Sequence, residues 1–386
     1  MVLRILHVTP SYLPAIRYGG PIWSVHGLAK AQAALGHHVE VYTTNLDGPN
    51  VSNVPVGERV DLDGVGVTYF PSPRFRRLFF APDMGRMLKQ NISSFDIVHT
   101  HSVFLWPTTA GAKAARRAKV PYIVSPRGML WREVIEERSK WIKRLWIALF
   151  EKKNIQKAAA IHVTANLEAD KMADIGLKLP RLVNLPNAVD QAVPYDSVEL
   201  STDVVSALEV ETFFLSLGRL SWKKNNLALI RAMVDVPAAY AIIAGVEEDG
   251  HAGLLVDEIK KYGLEDRVRI LARQISGDDK SALFERCTAF VLPSFSENFG
   301  NTVLEAMSYG KPVIVSREAG VVELVKRHNC GVVCGPDPDS IVASIVHIMS
   351  DIDEAKNMGQ RGAIAARDNY SWANIGKQMC AAYKSL

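Results

Sequence analysis

Residues 294–316 read SFSENFGNTVLEAMSYGKPVIVS, and they follow the apolar run TAFVLP at 288–293. The run before them has the length and composition of a buried strand. The FG step then turns the chain, the pattern from Thr302 is helical, and PVIVS at 312–316 is a second apolar strand. Strand, helix and strand in that order make a parallel crossover unit.

The same rhythm extends outward. Upstream lie FFLSLG at 213–218, a helix over 225–234, YAIIAG at 240–245, a helix over 251–262 and RVRIL at 267–271. The first half repeats it. A strand in VLRILHVT precedes a helix from Pro21 to Leu35, and HHVEVYTT, FDIVHTH at 95–101 and PYIVS at 121–125 follow. Helices are expected near 105–118, over 131–157 and over 166–176, with strands AAIHVT at 159–164 and RLVNL at 181–185. Apolar strands alternating with helices imply parallel sheets covered on both faces. A chain of 386 residues exceeds one ordinary core, and two bodies of about 150–200 residues each are expected. The rhythm breaks after Pro186. The expected division is an N-terminal domain over 1–190, a linker over 191–211, a second domain over 212–370 and a terminal helix over 371–386 that crosses back.

Charge separates the halves. Residues 1–190 carry 25 Lys and Arg against 15 Asp and Glu, and the remainder carries 20 against 26. The basic excess lies within 71–153, where 17 basic residues face 6 acidic ones. No uncharged apolar run reaches the roughly 18 residues that span a bilayer, and no signal peptide is read at the N-terminus. Cys287, Cys330, Cys334 and Cys380 form neither a disulfide framework nor a zinc spacing, so buried thiols in a reducing cytoplasm are expected.

In doubly wound sheets, ligands collect where strands end. Gly19 and Gly20 follow the first strand and open a helix, while the dinucleotide pattern G-x-G-x-x-G is absent. His99 and His101 share a face of their strand, with His101 at its end. Arg219 and Lys224, in LGRLSWKKNN, lie in a strand-to-helix loop where a phosphate would gather cations. Glu297 precedes Asn298, Phe299, Gly300, Asn301 and Thr302, whose amides at a helix start suit a diphosphate. Glu305 lies one turn inside that helix, and ionised carboxylates are strong acceptors for sugar hydroxyls.

On these residues the chain resembles the retaining GT-B glycosyltransferases of glycosyltransferase family four. Glu297 to Glu305 matches their E-x7-E motif, with EAM-x-x-G-x-PV after it. GRLSWKKN matches G-R-L-x-x-x-K, DIVHTH matches the strand-end histidine, Gly19-Gly20 the N-terminal glycine loop, and LPNAVD the P-N-G-V-D hinge. The five matches run in order over almost the whole length.

The resemblance implies an α/β GT-B fold, two Rossmann-like domains with parallel sheets facing a central cleft. It implies transfer of a hexose from a nucleotide diphosphate sugar to an acceptor hydroxyl, with retained configuration. Glu305 would hold the ribose, Glu297 the transferred hexose, and Arg219 and Lys224 the diphosphate, with amides of Phe299 to Thr302. His101 would face the donor sugar. Gly19-Gly20 would let the loop approach the phosphates. Arg127, in SPRGML, stands where many relatives have His and alters the acceptor-side wall. Ala188 replaces the hinge glycine.

The D-x-D triplets Asp61/Asp63, Asp337/Asp339 and Asp351/Asp353 read as solvated acid pairs, and Arg219 and Lys224 offer the charge a metal would supply. No metal, cofactor or nucleic acid is expected. A lipid-linked saccharide acceptor in bacterial surface-polysaccharide assembly is expected, with the enzyme cytoplasmic or peripheral on the inner face of the cell membrane. A same-fold epimerase or phosphorylase, or a non-catalytic sugar-nucleotide-binding subunit, are the alternatives. The stretch 131–157 would bury Trp131, Ile135, Ile142, Leu145 and Leu149 and offer its basic residues, with Trp141 and Trp146, to an anionic membrane. The run Arg74 to Phe80 would add to that surface.

Overall fold

Strands β1 (Arg4–Val8), β2 (His38–Thr44), β3 (Leu46–Asp47), β4 (Asn50–Val51), β5 (Arg59–Leu62), β6 (Val65–Phe70), β7 (Ile97–His101), β8 (Tyr122–Ser125), β9 (Ala160–Val163) and β10 (Leu182–Asn184) form in the first half of the chain. In this computed structural model, which describes residues 1–137 and 139–386, they belong to the unit Met1–Ala188 with Trp372–Leu386. Eight of them make one sheet in the order β10-β9-β8-β7-β1-β2-β6-β5, and β3 pairs with β4. The sheet is parallel except for β5.

The central strands are apolar because helices cover both faces. Leu6, Val8, Val98 and Val124 fill one core, and Ile5, Val39, Ile97 and Ile123 the other. The edge strand β5 is partly exposed and carries Arg59 and Asp61, charges that discourage further strand pairing. The β5–β6 hairpin is absent from the strands expected above. Its turn is Asp63-Gly64, with φ of +56° and +81°, the Asp-Gly chemistry of a tight hairpin.

The terminal helix Trp372–Lys384 packs on the helix Gly20–Ala34 within this unit. Glycines let the two helices approach. A Cβ on Gly27 would lie 2.2 Å from the Trp372 ring, and one on Gly376 would lie 2.8 Å from the Ala31 methyl.

The second unit, Val189–Ser371, holds β11 (Phe213–Leu217), β12 (Tyr240–Ala244), β13 (Val268–Leu271), β14 (Ala289–Leu292), β15 (Val313–Ser316) and β16 (Gly331–Cys334). All are parallel, in the order β13-β12-β11-β14-β15-β16. The short β16 also went unanticipated. It reaches β15 only because Gly331 has no side chain, since a Cβ there would lie 2.0 Å from the Val313 carbonyl.

Two expectations need correction. Residues 191–211 are not a free linker but a packed part of the second unit. The helix Thr202–Ala207 buries Val204 and Ala207. Ser201 donates from N and Oγ to Asp279 at 2.9 and 2.6 Å, and Arg273 bridges Asp203 and Asp279 at 2.7 and 2.8 Å. The stretch 131–157 is likewise not one helix with a buried stripe. It runs as Arg132–Glu137, Lys140–Trp146, a π turn at Ile147–Glu151, and Lys152–Gln156. Trp131 and Ile135 are buried, but Ile142, Leu145 and Leu149 are exposed. All four cysteines are free and buried.

Gly27→Ala should destabilise the first unit by about 1–3 kcal/mol through overpacking against Trp372. That lowers its melting temperature by roughly 2–12 °C. Gly253→Ala, on a helix with nothing within 4 Å of the added methyl, is the control and should leave melting unchanged or raise it. Equal melting of the two variants would refute the close packing.

Candidate functional site

In the second unit the chain leaves β11 and β14, which are neighbours, toward opposite edges of the sheet. Such a reversal opens a crevice at the strands' carboxyl ends. Arg219 and Lys224 follow β11, and Glu297 to Glu305 follow β14.

Close backbone approach shapes the first of these loops. A Cβ on Gly245 would lie 1.8 Å from the Gly218 carbonyl, and one on Gly218 would lie 3.1 Å from Lys224 Cε. Asn225, at φ +56°, ends the short turn Trp222–Lys224. Its Nδ2 donates to the Pro293 and Pro336 carbonyls at 3.0 and 2.7 Å, and Phe295 N donates to Lys223 O at 2.9 Å. The two loops are thereby stitched together.

The second loop is held by its backbone. Glu297 N donates to Glu318 O at 3.2 Å, and Glu297 O accepts from Gly320 N at 3.0 Å. Phe299 is buried as an anchor. Gly300, at φ +101°, starts the helix Asn301–Ser308, and a Cβ there would press on Leu292 at 3.1 Å. Asn298, Asn301 and Thr302 lie in the entry and first turn of that helix, and Glu305 one turn in.

The charged groups are paired. Arg219 meets Glu248 at 2.8 Å, Lys224 meets Glu297, and Lys280 meets Glu305 at 2.8 Å. The first pair is half exposed and worth little to stability. Lys224 and Glu297 are mostly buried, with about a fifth of each side chain exposed. Each cation therefore holds a carboxylate where another anion could bind, and each carboxylate can accept from hydroxyls instead. Glu248, Lys280 and Asn225 were missed from sequence because their partners lie 29, 25 and up to 111 residues away.

In the first unit the reversal falls between β1 and β7. His7 and His99 are register partners there. His101 is buried and both its ring nitrogens are engaged, Nε2 with His7 Nδ1 at 2.9 Å and Nδ1 with Arg127 Nη2 at 3.3 Å. The contacts continue through Gln32, Tyr383, His99, Ser125 and His162. Burial holds all four imidazoles neutral. It lowers His7 to about 4 and His162 to about 3, and it pushes His99 and His101 well below the usual range.

Arg127 (φ +56°) and Gly128 (φ +73°) form a left-handed turn after β8. Gly128 N donates to Glu168 Oε1 at 2.7 Å, and Glu168 Oε2 accepts from Thr164 N at 2.8 Å. Arg127 Nη1 donates to Asn187 Oδ1 at 2.9 Å, and its Nε is buried without a partner. Burial lowers its pKa to about 10, so it stays charged at neutral pH. Gly19, at φ +77°, ends a short turn and Gly20 opens the helix Gly20–Ala34. His7, Gln32, His162 and Tyr383 were not singled out in the sequence. The period-two pattern of His99 and His101 marked only part of the cluster.

The acid pairs have structural work. Asp61 accepts from Gly64 N in the hairpin turn, and Asp63 meets His26 at 2.9 Å. Asp337 and Asp351 cap the helices Pro338–Ser350 and Ile352–Asn369, as short acids do at helix starts.

Comparison with known proteins gives each unit a counterpart. The family "Glycosyl transferase 4-like domain" matches residues 19–188, and "Glycosyl transferases group 1" matches 202–364. An uncharacterized glycosyltransferase of Methanocaldococcus jannaschii is 26% identical over 99% of this chain and 98% of its own length. GDP-mannose:cellobiosyl-diphosphopolyprenol alpha-mannosyltransferase of Komagataeibacter xylinus is 24% identical over 100% of this chain and 93% of its own. The solved structure of Anabaena HepE with UDP-glucose is 19% identical with a TM-score of 0.74, covering 100% of both chains. Both family matches and the shared α/β architecture give one conclusion: the chain belongs to the glycosyltransferases of GT-B fold.

Proposed function

We propose that this chain is a retaining, metal-independent hexosyltransferase of the family-four type, using a nucleoside diphosphate sugar. One observation carries the reading. The β11–β14 crevice gathers Arg219, Lys224, Glu297 and the start of the Glu305 helix. The diphosphate displaces the carboxylates from Arg219 and Lys224, Glu305 turns to the ribose, and Glu297 turns to the hexose. The acceptor oxygen bonds to the anomeric carbon as the bond to the departing phosphate oxygen breaks. The acceptor proton passes to that diphosphate. The protein positions the reactants and steadies growing negative charge, with no covalent intermediate.

The acceptor is a lipid-linked saccharide of surface-polysaccharide assembly, an assignment supported by the named activity of the Komagataeibacter relative. The exposed surface of the first unit agrees. Glu151, in the π turn, is buried and accepts from Phe104 N and Trp146 Nε1 at 2.9 and 3.1 Å. With this anchor inside, Trp141, Ile142, Leu145 and Leu149 remain 60–70% exposed. Beside them a hollow of about 460 Å³ is lined by Lys113, Arg116, Arg117, Lys153 and Lys157 with Leu149 and Phe150. Exposed Phe75 lies in a second basic run of the same unit. Apolar side chains beside a basic hollow fit an anionic lipid surface. Among the described residues no helix is long and apolar enough to cross a membrane. The basic, apolar surface would place the enzyme peripherally, on the inner face of the cell membrane.

A thermal-shift screen with UDP, GDP, ADP and their sugars identifies the donor, and labelled-donor turnover then tests the site. Arg219→Ala and Lys224→Ala should each lower turnover by about 10²–10³ with a smaller effect on donor affinity. Near-normal turnover in both removes the diphosphate assignment.

Turnover should survive EDTA, because the two cations supply the charge. Loss of activity that magnesium or manganese restores would reassign one acid pair to metal binding.

Sedimentation with anionic vesicles should pull the protein down, and neutral vesicles should not. Each basic residue near the surface adds about 1 kcal/mol, so Lys113→Glu, Lys153→Glu and Lys157→Glu together should abolish binding with melting unchanged. Equal binding to neutral vesicles excludes the electrostatic surface.

A further inference from the structure

The buried contacts around His101 form one continuous chain whose proton positions can be deduced. It ends on a carbonyl, and a carbonyl only accepts. His162 Nε2 lies 2.9 Å from Leu185 O, so Nε2 carries the proton. The neutral ring then accepts at Nδ1, and Ser125 Oγ donates to it at 2.8 Å. With its proton spent, Ser125 Oγ accepts from His99 Nε2 at 2.6 Å. His99 Nδ1 is therefore bare and accepts from the Tyr383 hydroxyl at 2.6 Å.

Tyr383 in turn accepts from Gln32 Nε2 at 3.2 Å. The other end of that amide, Oε1, accepts from His7 Nε2 at 2.8 Å. His7 Nδ1 is then bare and accepts from His101 Nε2 at 2.9 Å. His101 Nδ1 is bare in turn and accepts from Arg127 Nη2 at 3.3 Å. Every bond runs the same way, from Arg127 to Leu185, and every imidazole carries its proton on Nε2. No member has a second choice unless the whole chain reverses, and the terminal carbonyl forbids reversal.

His7, His99 and His101 also bring ring nitrogens within 4.8 Å of one another, the spacing of a metal site. The chain argues against that use. Each bare Nδ1 already accepts a hydrogen bond, and the Arg127 charge adjoins His101.

We propose that this one-way chain makes His101 a positioning residue, which holds the Arg127 guanidinium through a fixed Nδ1 lone pair and leaves Arg127 to meet a phosphate oxygen of a substrate. Two observations point to Arg127 as the group that meets substrate. Its two acceptors, an amide oxygen and an imidazole, are neutral, and its buried Nε has no partner. A half-buried guanidinium so arranged keeps its charge for an anion. The nearby acid, Glu168, already accepts from Gly128 and Thr164. The last step, the meeting with substrate, rests on the glycosyl-transfer reading, whereas the tautomers do not.

The first test is long-range ¹H–¹⁵N correlation of histidine-labelled, full-length protein between pH 5.5 and 8. His7, His99, His101 and His162 should all be neutral with the proton on Nε2, and adding zinc should change none of them. A proton on Nδ1, a cationic ring or a zinc shift at any of the four overturns the chain. The second test is a double-mutant cycle on turnover. Tyr383→Phe, four links from Arg127, should lower turnover about fivefold or more and shift the signals of His99, whose Nδ1 loses its donor. In an Arg127→Gln background the same change should have less than a twofold effect, because the coupling acts through Arg127. Effects that simply multiply sink the positioning role. If Tyr383→Phe does not fold, Gln32→Met cuts the adjacent link and serves in the same cycle. Titration with UDP, GDP and ADP separates the phosphate sources. Affinity lost in Arg127→Gln assigns Arg127 to the donor diphosphate, and affinity kept with turnover lost assigns it to a phosphate on the acceptor. If both affinity and turnover are kept, Arg127 does not meet a phosphate. Failure of the wild-type protein to turn over any donor would count against glycosyl transfer and leave the tautomer result intact.

Discussion

The structure depends on parallel strands that end together at a reversal of strand order. Helices on both faces require those strands to be apolar, so polar chemistry is displaced to their carboxyl ends. In the second unit this works through backbone contact more than side chains. Gly245 approaches the Gly218 carbonyl so closely that β12 could not be followed there by a larger residue. The space left over Gly218 is taken by Lys224, whose ammonium meets Glu297 across the β11–β14 junction. A packing constraint in the sheet thus fixes where the site's charge lies.

Pairing those charges solves a problem of burial. A half-buried ammonium or carboxylate left alone would be costly. Lys224 hydrogen-bonds Glu297 and Lys280 lies within ion-pair distance of Glu305, yet each pair is open enough to exchange. The arrangement keeps the site stable without ligand. On the proposed reading it also sets a selectivity. A neutral sugar offers no replacement for the carboxylates at the cations, whereas a sugar diphosphate supplies anion and hydroxyls together.

Much of this was legible in the sequence, and the limits have physical causes. The strand–helix alternation was readable because buried parallel strands are apolar throughout, as in AFVL of β14 and VIVS of β15. The placing of Arg219, Lys224 and Glu297 after such strands, and of Glu305 one turn into the following helix, was readable from the same alternation. β5 was not, since a charged edge strand resembles a loop, and nor was β16, which begins on glycine and is only partly buried. In 191–211 the spacing of Val204, Ala207 and Leu208 carried a helical signal that the surrounding polar residues obscured. The stripe of 131–157 misled for another reason. Helical periodicity shows that apolar side chains share a face, but not whether that face looks inward, and here Glu151 takes the inward place.

The histidine cluster shows what spacing cannot convey. Four imidazoles from β1, β7 and β9 would be intolerable if charged, because burial and mutual repulsion both oppose protonation. Neutral imidazoles are tolerable only if each finds one donor and one acceptor, a matching problem with few solutions. Gln32 and Tyr383 solve it, the first from the helix that follows β1 and the second from the last turn of the chain. The terminal helix is therefore more than cover for an apolar face. Gly376 and Gly27 bring it close to the helix Gly20–Ala34, and that closeness delivers one hydroxyl to the point where the buried chain would otherwise break. Packing at the surface of the first unit and proton order at its centre are consequences of the same contact.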